Sequence, residues 1–212
     1  MTENIQVFRQ NSICIGSGYG KIYIDPFQIE GQPEDAAFIF VTHDHYDHFS
    51  PEDIAKVARK NTVLVVPEKM KKSVGKTAGM VSRVETVIPE ASYEIDGLKF
   101  ETVPMYNNMK PFHPKNAGWT GYILCIEDNR IYIAGDIDAI KEAKAVKCDV
   151  ALIPIGGFYT MDAKTAAGLV NEMRPAVAIP VHYGHLIGKP ADGNVFAENV
   201  ADSVKVEFKI RF

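Results

Sequence analysis

The sequence predicts an α/β protein in which two β-sheets pack face to face with helices on their outer sides. Short runs of β-branched and aromatic residues, separated by turn residues, fill much of the first two thirds of the 212-residue chain. Helical segments are few, and the last third alternates strands with helices. Many strands with few helices bury their apolar faces best as two stacked sheets, so we expect this layered architecture.

Local patterns predict the individual elements. The continuous apolar run Ala36–Val41 is typical of a strand buried on both faces. Ser50, followed by a proline and two acidic residues, predicts the start of a helix. Asp96-Gly97 is typical of a hairpin turn, and Asp162 is expected to cap a later helix.

The predicted strands are Ile5–Phe8, Ser12–Ile15, Lys21–Asp25, Ala36–Val41, Thr62–Val66, three between Val81 and Pro104, Trp119–Ile126, Arg130–Ala134, Val150–Pro154, Ala176–Val181 and Val204–Ile210. The other predicted elements are a helix after Ser50, helices Pro67–Ser73, Asp162–Met173 and Pro190–Ala201, and a loop Met105–Gly118.

Composition narrows the functional class. Apolar residues make up 46% of the chain and the net charge is −4, which is ordinary for a soluble globular protein and gives no overall positive charge for long nucleic acid, although net charge does not exclude a local basic patch. No long apolar run or signal peptide is visible, so we expect one cytoplasmic domain over residues 1–212, with no membrane segment. Cys14, Cys125 and Cys148 form no Cys-x-x-Cys pair and are predicted to be buried free thiols.

A cluster of histidines follows the strand Ala36–Val41, in the pattern His43-x-His45-x-Asp47-His48. A regular strand would turn His48 away, and a regular helix would turn His45 away, so we expect a loop at the strand end. Imidazole nitrogens and carboxylate oxygens are the usual non-sulfur ligands of zinc. Three histidines and one acid exceed what a single catalytic ion with an open position needs, so the cluster predicts two ions.

Further candidate ligands stand at or near other strand ends. Asp136 follows a strand and a glycine, and its two oxygens can bridge two ions; helix capping is the alternative role. His182 directly follows another strand, and His185 is three residues later. We favour His182 as the ligand because it is nearer the strand end, which leaves His185 to line the pocket or lie on the surface. His113 is either a ligand or an exposed loop histidine.

Together these residues resemble the metallo-β-lactamase superfamily of metal-dependent hydrolases, and the resemblance covers essentially the whole chain. It implies a four-layer αββα sandwich, the metallo-β-lactamase fold, with the metals at the edge between the sheets. Val103–Asn107 and Pro154–Met161 are similar to small single-domain hydrolases near the ascorbate-6-phosphate lactonase branch. The chain lacks the inserted tRNA-binding arm of ribonuclease Z, and β-lactamases usually differ at the position of His48.

The resemblance also implies roles for individual residues. The implied ligands are His43, His45 and His113 for the first ion, Asp47, His48 and His182 for the second, and Asp136 as the bridge. Asp25 resembles the family's early aspartate, which supports the metal ligands from behind.

The functional hypothesis is a hydrolase that acts on a small ester, lactone or phosphodiester. Asp47 would orient the attacking water and accept its proton. His185, Tyr159 and Tyr106 are candidates for stabilising the oxyanion or donating a proton. Two lysines that flank His113, Lys110 and Lys115, either attract an anionic substrate or are solvated surface residues.

Two alternatives and several properties stay open. Zn²⁺ is the first candidate for the two ions, with Mn²⁺ or Fe²⁺ as alternatives. A nuclease or RNA-processing enzyme is disfavoured by the acidic composition and by the absence of a nucleic-acid-binding domain. A non-hydrolytic redox protein would hold iron and need an accompanying electron-transfer domain, which the sequence does not show. The sequence predicts neither the substrate nor the oligomeric state.

Overall fold

The computed structural model describes residues 1–108, 110–210 and 212. The strands in this part of the chain are β1 Ile5–Val7, β2 Ile13–Ser17, β3 Gly20–Ile24, β4 Ala36–Phe40, β5 Val63–Pro67, β6 Arg83–Val87, β7 Ser92–Ile95, β8 Leu98–Pro104, β9 Thr120–Ile126, β10 Asn129–Ile133, β11 Val150–Pro154, β12 Val177–Val181 and β13 Lys205–Val206. The α-helices are α1 Pro51–Val57, α2 Lys71–Val74, α3 Lys141–Lys144, α4 Ala163–Met173 and α5 Asp192–Asn199.

The strands form two sheets of similar design. The first sheet runs in the order β1-β2-β3-β4-β5-β6, and the second in the order β13-β12-β11-β10-β9-β8-β7. In each sheet an antiparallel meander continues into parallel strands, at β3–β4 in the first sheet and at β10–β11 in the second. Every residue of β4, β5, β11 and β12 is buried, as expected of central parallel strands covered on both faces.

Three apolar clusters define the layers. One cluster fills the space between the sheets, where Phe40 of β4 makes edge-to-face contacts with Phe100 of β8 and Tyr122 of β9, each at 5.0 Å between ring centroids. A second cluster packs α4 and its neighbours on the outer face of the second sheet. A third packs Ile54 and Val57 of α1 on the outer face of the first sheet. The predicted αββα sandwich is therefore confirmed.

Two predicted helix caps are also present. The Ser50 side chain accepts a hydrogen bond from the Asp53 backbone N–H and begins α1. The Asp162 side chain accepts one from the Thr165 backbone N–H at 2.8 Å and begins α4. None of the helices in the described residues combines the length and the apolar content that a membrane span requires.

The predicted boundaries fail mainly at the ends of the chain and of its elements. The helix predicted over Pro67–Ser73 is a 3₁₀ turn followed by the short helix α2, and the helix predicted over Pro190–Ala201 shortens to α5. The last predicted strand, Val204–Ile210, shrinks to the two residues of β13, because this edge strand pairs only with β12. The predicted loop Met105–Gly118 holds one 3₁₀ turn, and its Met109 lies outside the described residues.

Candidate metal centre

The strand ends bring the predicted ligands together. The segment from His43 to His48 follows β4 and folds into a turn, in which the backbone N–H of His48 donates to the carbonyl of His45 at 3.0 Å. Asp136 follows β10, and His182 follows β12. His113 enters from the loop between β8 and β9. Polar side chains from both sheets therefore meet at one edge of the sandwich, where loops on a rigid scaffold commonly carry function.

Seven side chains converge there, and we call them the ligand cluster: His43, His45, Asp47, His48, His113, Asp136 and His182. Their potential ligand atoms form three groups, and within each group these atoms lie within 4.8 Å of one another: His43, His45 and His113; His43, His48 and Asp136; Asp47, His48 and His182. These groups contain the two ligand sets that the resemblance implies, and they place Asp136 beside two of the histidines.

The hydrogen bonds behind the cluster decide which nitrogens face its centre. His48 Nδ1 lies 2.7 Å from Asp25 Oδ2 and donates to it, so in the neutral ring His48 Nε2 presents a lone pair. His113 Nδ1 lies 2.7 Å from Asn107 Oδ1, with the same result for His113 Nε2. His48 Nε2 is only 3.2 Å from His182 Nε2, although an unprotonated nitrogen has no proton to offer it.

Two buried atoms at the centre lack hydrogen-bond partners, namely His113 Nε2 and Asp136 Oδ1. Buried polar atoms of native proteins are almost always satisfied, so converging lone pairs without donors need an explanation. A cation meets this need, because it accepts lone pairs from several nitrogens and oxygens at once. The donor set of imidazoles and carboxylates also suits divalent zinc, iron or manganese, so these residues fit metal ions.

Special backbone conformations place two members of the cluster. Gly135 has a φ of +66°, and a Cβ atom there would lie 2.6 Å from Met105 Sδ. The positive φ makes a tight turn after β10, and this turn directs Asp136 into the cluster. His182 itself has a φ of +56°, and its N–H donates to the carbonyl of Gln10 at 2.9 Å. A non-glycine residue with positive φ is strained, and such strain persists mainly at functional sites.

The electrostatics favour the metal-binding protonation states of His43, His113 and Asp136, whereas His48 attracts a proton that an ion would have to displace. Burial, and then the charge of His48, lower the pKa of His43 well below its ordinary value. Burial lowers the pKa of His113 to about 4. Burial alone would lower the pKa of His48 too, but the carboxylates of Asp136 and Asp25 outweigh it and raise this pKa well above its ordinary value. Burial would raise the pKa of Asp136, yet neighbouring imidazoles hold it well below its usual range.

Residues behind the cluster fix its geometry. Asp25 is fully buried and accepts hydrogen bonds from the Thr42 N–H and hydroxyl, from Asn11 and from His48 Nδ1, at distances of 2.6–2.7 Å. This is the supporting position that the resemblance implies for Asp25. Asn107 holds His113 twice, because its N–H also donates to the His113 carbonyl at 2.8 Å.

The sequence did not reveal three of these contacts. Asn107 and Asn11 are polar residues in loops, without a spacing that marks them. Trp119 packs against His43 and His45, each at 5.1 Å between ring centroids, and against His113 at 5.8 Å. It is the single tryptophan of the chain, which makes it a natural optical reporter of the cluster.

Of the other predicted catalytic residues, Tyr159 lies beside the ligand cluster and His185 does not. A cavity of about 520 Å³ opens over the cluster, and Tyr159 lines it together with Asp47, Asp136 and His182. His185 is exposed, contacts Arg9 and does not line this cavity, so the hypothesis that it takes part in catalysis finds no geometric basis. The alternative surface role for His185 agrees with its position.

Tyr106 and the two lysines also lie elsewhere. The Tyr106 hydroxyl donates to Glu142 Oε2 at 2.8 Å, and Tyr106 does not line the cavity. Lys115 pairs with Glu142 at 2.7 Å, and Lys110 pairs with Asp138 at the same distance. Both ammonium groups bind carboxylates in this structure, and the suggestion that these lysines attract an anionic substrate stays a prediction.

Comparisons with known proteins identify the family of this chain. A family model described as "Beta-lactamase superfamily domain" matches residues 4–182. A UPF0173 metal-dependent hydrolase of Pyrococcus abyssi is 32% identical over 203 residues, covering 89% of this chain and 88% of the relative. One from Nanoarchaeum equitans is 34% identical, over 77% of this chain and 76% of the relative.

A solved structure from Parabacteroides distasonis superposes with a TM-score of 0.82 and 25% identity, covering 98% of this chain and 93% of the other. It carries the same fold over nearly the whole length. With the family match over most of the sequence and relatives above 30% identity, the chain belongs to the UPF0173 metal-dependent hydrolases of the beta-lactamase superfamily.

Proposed function

We propose that the protein is a dinuclear metal hydrolase that cleaves a small ester or lactone. The observation that carries the two-ion proposal is the placement of Asp136. Its Oδ1 lies 3.4 Å from both His48 Nε2 and His182 Nε2, whereas its Oδ2 lies 3.4 Å from His113 Nε2. One carboxylate thus directs its two oxygens toward two different ligand sets, as a bridging ligand does.

When bound, two divalent ions activate water near neutral pH and polarise the oxygen of the scissile bond. His43, His45 and His113 would hold one ion, and Asp47, His48 and His182 the other, with Asp136 between them. His48 and His113 would be kept in the metal-binding tautomer by Asp25 and Asn107. Zn²⁺ remains the first candidate, ahead of Mn²⁺ and Fe²⁺.

Asp47 is proposed to handle the proton. Its Oδ2 lies 3.3 Å from His182 Nε2, and its carboxylate is partly exposed to the cavity. Burial would raise its pKa, but the hydrogen bond with His182 and the charge of His48 lower it to about 2, so Asp47 is ionised, as a metal ligand must be. A carboxylate with so low a pKa is a weak base, and it would accept a proton only from a water that the ions make acidic. Water adds to the acyl carbon, the bond to the leaving oxygen breaks, and the proton taken by Asp47 passes to that oxygen. Tyr159 is proposed to hydrogen-bond the substrate from the cavity wall.

Nuclease or RNA-processing activity is the weaker candidate. The described residues that line the cavity include no lysine or arginine. Proteins that bind nucleic acid use such cations against the phosphate backbone. A small, uncharged acyl substrate needs none, so the absence of lysine and arginine from the described lining favours an ester or lactone over a long nucleic acid.

The test joins metal analysis to hydrolysis. Protein stripped with a chelator is titrated with Zn²⁺, Mn²⁺ or Fe²⁺ while Trp119 emission is followed, and the bound metal is counted by mass spectrometry. We expect two ions per chain, a change in emission because Trp119 packs on three candidate ligands, and hydrolysis of 4-nitrophenyl acetate or a simple lactone only after reloading.

His45→Gln and His185→Gln form the matched pair of variants. Both remove an imidazole that is at least partly accessible, but only His45 belongs to the ligand cluster. We expect His45→Gln to lose metal and His185→Gln to keep both ions. One ion per chain or fewer after reloading of the unmodified protein would overturn the dinuclear proposal.

A further inference from the structure

The mouth of the cavity is apolar and exposed. Tyr46, Tyr159 and Leu186 line the cavity, and they are 69%, 39% and 49% exposed. Phe158 is 66% exposed and stacks edge-on against Tyr159 at 4.8 Å between ring centroids. These four make up a large share of the exposed large apolar side chains in the described residues, and they gather at one opening. Such a cluster of exposed apolar side chains usually marks a binding surface.

Three of the side chains at this mouth form a contiguous unit that we call the aromatic rim: Phe112, Phe158 and Tyr159. Phe112 lies 4.7 Å from Tyr159 and 5.4 Å from Phe158, measured between ring centroids. Phe112 and Tyr159 line the same cavity as Asp47 and Asp136 of the ligand cluster. A group bound against the aromatic rim would therefore lie in the same cavity as the ligand cluster.

The backbone at Phe158 is strained. Its φ is +27°, in a region that bulky side chains rarely adopt. Two hydrogen bonds close the turn around it: the N–H of Gly157 donates to the carbonyl of Met161 at 2.9 Å, and that of Thr160 donates to the carbonyl of Gly157 at 2.7 Å. The turn holds an apolar ring in water at a cost in backbone energy, which points to a functional reason for its exposure.

The charged residues near the mouth of the cavity also bear on the kind of ligand that binds there. The two lysines beside Phe112 in the sequence are paired, Lys110 with Asp138 and Lys115 with Glu142, whereas Arg9, which adjoins the lining residue Gln10, contacts His185 and keeps its charge. Away from the ions, an anionic tail on the substrate would meet no lysine or arginine among the described lining residues, whereas an apolar tail would meet three aromatic rings.

We propose that the substrate carries an uncharged, apolar acyl group that binds against the aromatic rim. The inference rests on the proposed hydrolase function and adds the substrate class to it. A cavity of about 520 Å³ is of the size that holds one small organic molecule. Hydrolysis of such a substrate consumes one water and releases an apolar carboxylic acid and an alcohol.

The experiment measures specificity along a series of acyl chains. Metal-loaded protein hydrolyses 4-nitrophenyl acetate, butyrate and hexanoate, and also the adipate half-ester, which has the length of the hexanoate but ends in a carboxylate. We expect kcat/KM to rise about two- to fourfold for each added methylene, because each one buries apolar surface on the rim. The adipate half-ester should be hydrolysed at least about tenfold more slowly than the hexanoate, because burial of an unpaired charge is unfavourable.

Phe158→Ala, in the aromatic rim, and Leu186→Ser, beside it at the mouth of the cavity, test the inference. Phe208→Ala is the matched control. Phe208 is 50% exposed and does not line the cavity. The hexanoate-to-acetate ratio should fall severalfold in the two mouth variants and stay at the unmodified value in the control. An unchanged ratio in both mouth variants, or an adipate half-ester as fast as the hexanoate, would overturn the inference.

Binding of Nile red, an uncharged apolar dye, to the metal-free protein separates this inference from the proposed function. Dye binding that Phe158→Ala weakens and Phe208→Ala does not would support the rim even if no ester were hydrolysed. Hydrolysis of acetate without chain-length dependence or dye binding would leave the hydrolase and remove the rim. A dimer in sedimentation that Phe158→Ala dissociates would instead assign this surface to a second copy of the chain and overturn the inference.

Discussion

The ligand cluster and the aromatic rim border the same cavity but are stabilised in opposite ways. In the cluster, buried imidazoles are held from behind: His48 by Asp25, and His113 by Asn107. At the rim, Phe158 projects into solvent from a strained turn, and its aromatic contacts are with Phe112 and Tyr159. Hydrogen bonds to other residues fix these imidazoles of the cluster, whereas the exposed face of the rim is left for a ligand to cover. We therefore propose that chemistry depends on the first region and selectivity on the second.

The largest effect should follow removal of Asp136. Asp136→Ala deletes the carboxylate that faces His48, His113 and His182, so both ligand sets lose a shared partner. We expect metal content to fall below one ion per chain and kcat/KM to fall by more than about 100-fold, since even residues behind a metal ligand are worth about 10–100-fold. Metal analysis and ester hydrolysis measure both changes.

Asp136→Asn is the matched control, because it keeps the shape and one oxygen but removes the charge. It should retain more metal than Asp136→Ala and less than the unmodified protein. If Asp136→Ala kept two ions, Asp136 would not be a bridge, and the cluster would have to be divided differently.

Most members of the ligand cluster could be predicted from the sequence. His43, His45, Asp47 and His48 were grouped by spacing alone, because they sit within six residues at the end of an apolar strand. Strand ends also marked Asp136 and His182, since parallel strands carry their carboxyl ends to one edge. The structure brings all six together.

The remaining features depend on long-range packing and could not be read in this way. Asn107 and Asn11 have no distinctive spacing, and only the tertiary structure brings them to His113 and Asp25. The aromatic rim includes Phe112 and Phe158, which are 46 residues apart in the sequence. They lie in two loops whose conformations cannot be predicted from a local sequence pattern. The ion pairs of Lys110 and Lys115 could not be predicted for the same reason, because their acidic partners come from another part of the chain.

The pH dependence of stability should distinguish the buried cluster from the exposed rim. In the metal-free protein, burial lowers the pKa of His113 from about 6.5 to about 4. Between these values the unfolded chain binds a proton at His113 and the folded chain does not, so the folded state loses stability as the pH falls through this window. The loss attributable to His113 is at most roughly 3 kcal/mol. Urea unfolding with a chelator present, measured from pH 7 to 4, gives the slope.

His113→Gln isolates this contribution from that of His48. The pKa of His48 is raised in the folded state, so its stabilisation is present at low pH and is lost as the pH rises through the folded pKa, opposite to His113. The stability of His113→Gln should therefore fall less steeply between about pH 6.5 and pH 4 than that of the unmodified protein. Parallel curves would show that His113 is not desolvated in solution.

Asp25 should have an intermediate effect on the metal centre. Asp25→Asn keeps the size of the side chain but replaces one acceptor oxygen by a donor, which would face the His48 N–H, the Thr42 hydroxyl or the Asn11 amide. We expect metal affinity to fall about 10- to 100-fold, as is typical when a group behind a ligand is changed. Competition with a chromophoric chelator measures the affinity, and Asp53→Asn, another buried carboxylate that caps backbone N–H groups away from the cluster, is the control. Equal affinities in the two variants would assign Asp25 a role in stability alone.

The smallest effect should come from Lys115, and it tests whether charge or apolar surface selects the substrate. Lys115 Nζ binds Glu142 at 2.7 Å and lies 4.8 Å from the centre of the Tyr106 ring, outside the cavity lining. Lys115→Met removes the charge but keeps most of the apolar stem, so kcat/KM for both 4-nitrophenyl hexanoate and the adipate half-ester should change by less than about twofold, because exposed ion pairs contribute little. A loss confined to the adipate half-ester would show that Lys115 leaves Glu142 to reach the substrate. Selectivity would then lie in charge at the edge of the cavity, and the contrast between the ligand cluster and the aromatic rim would no longer hold.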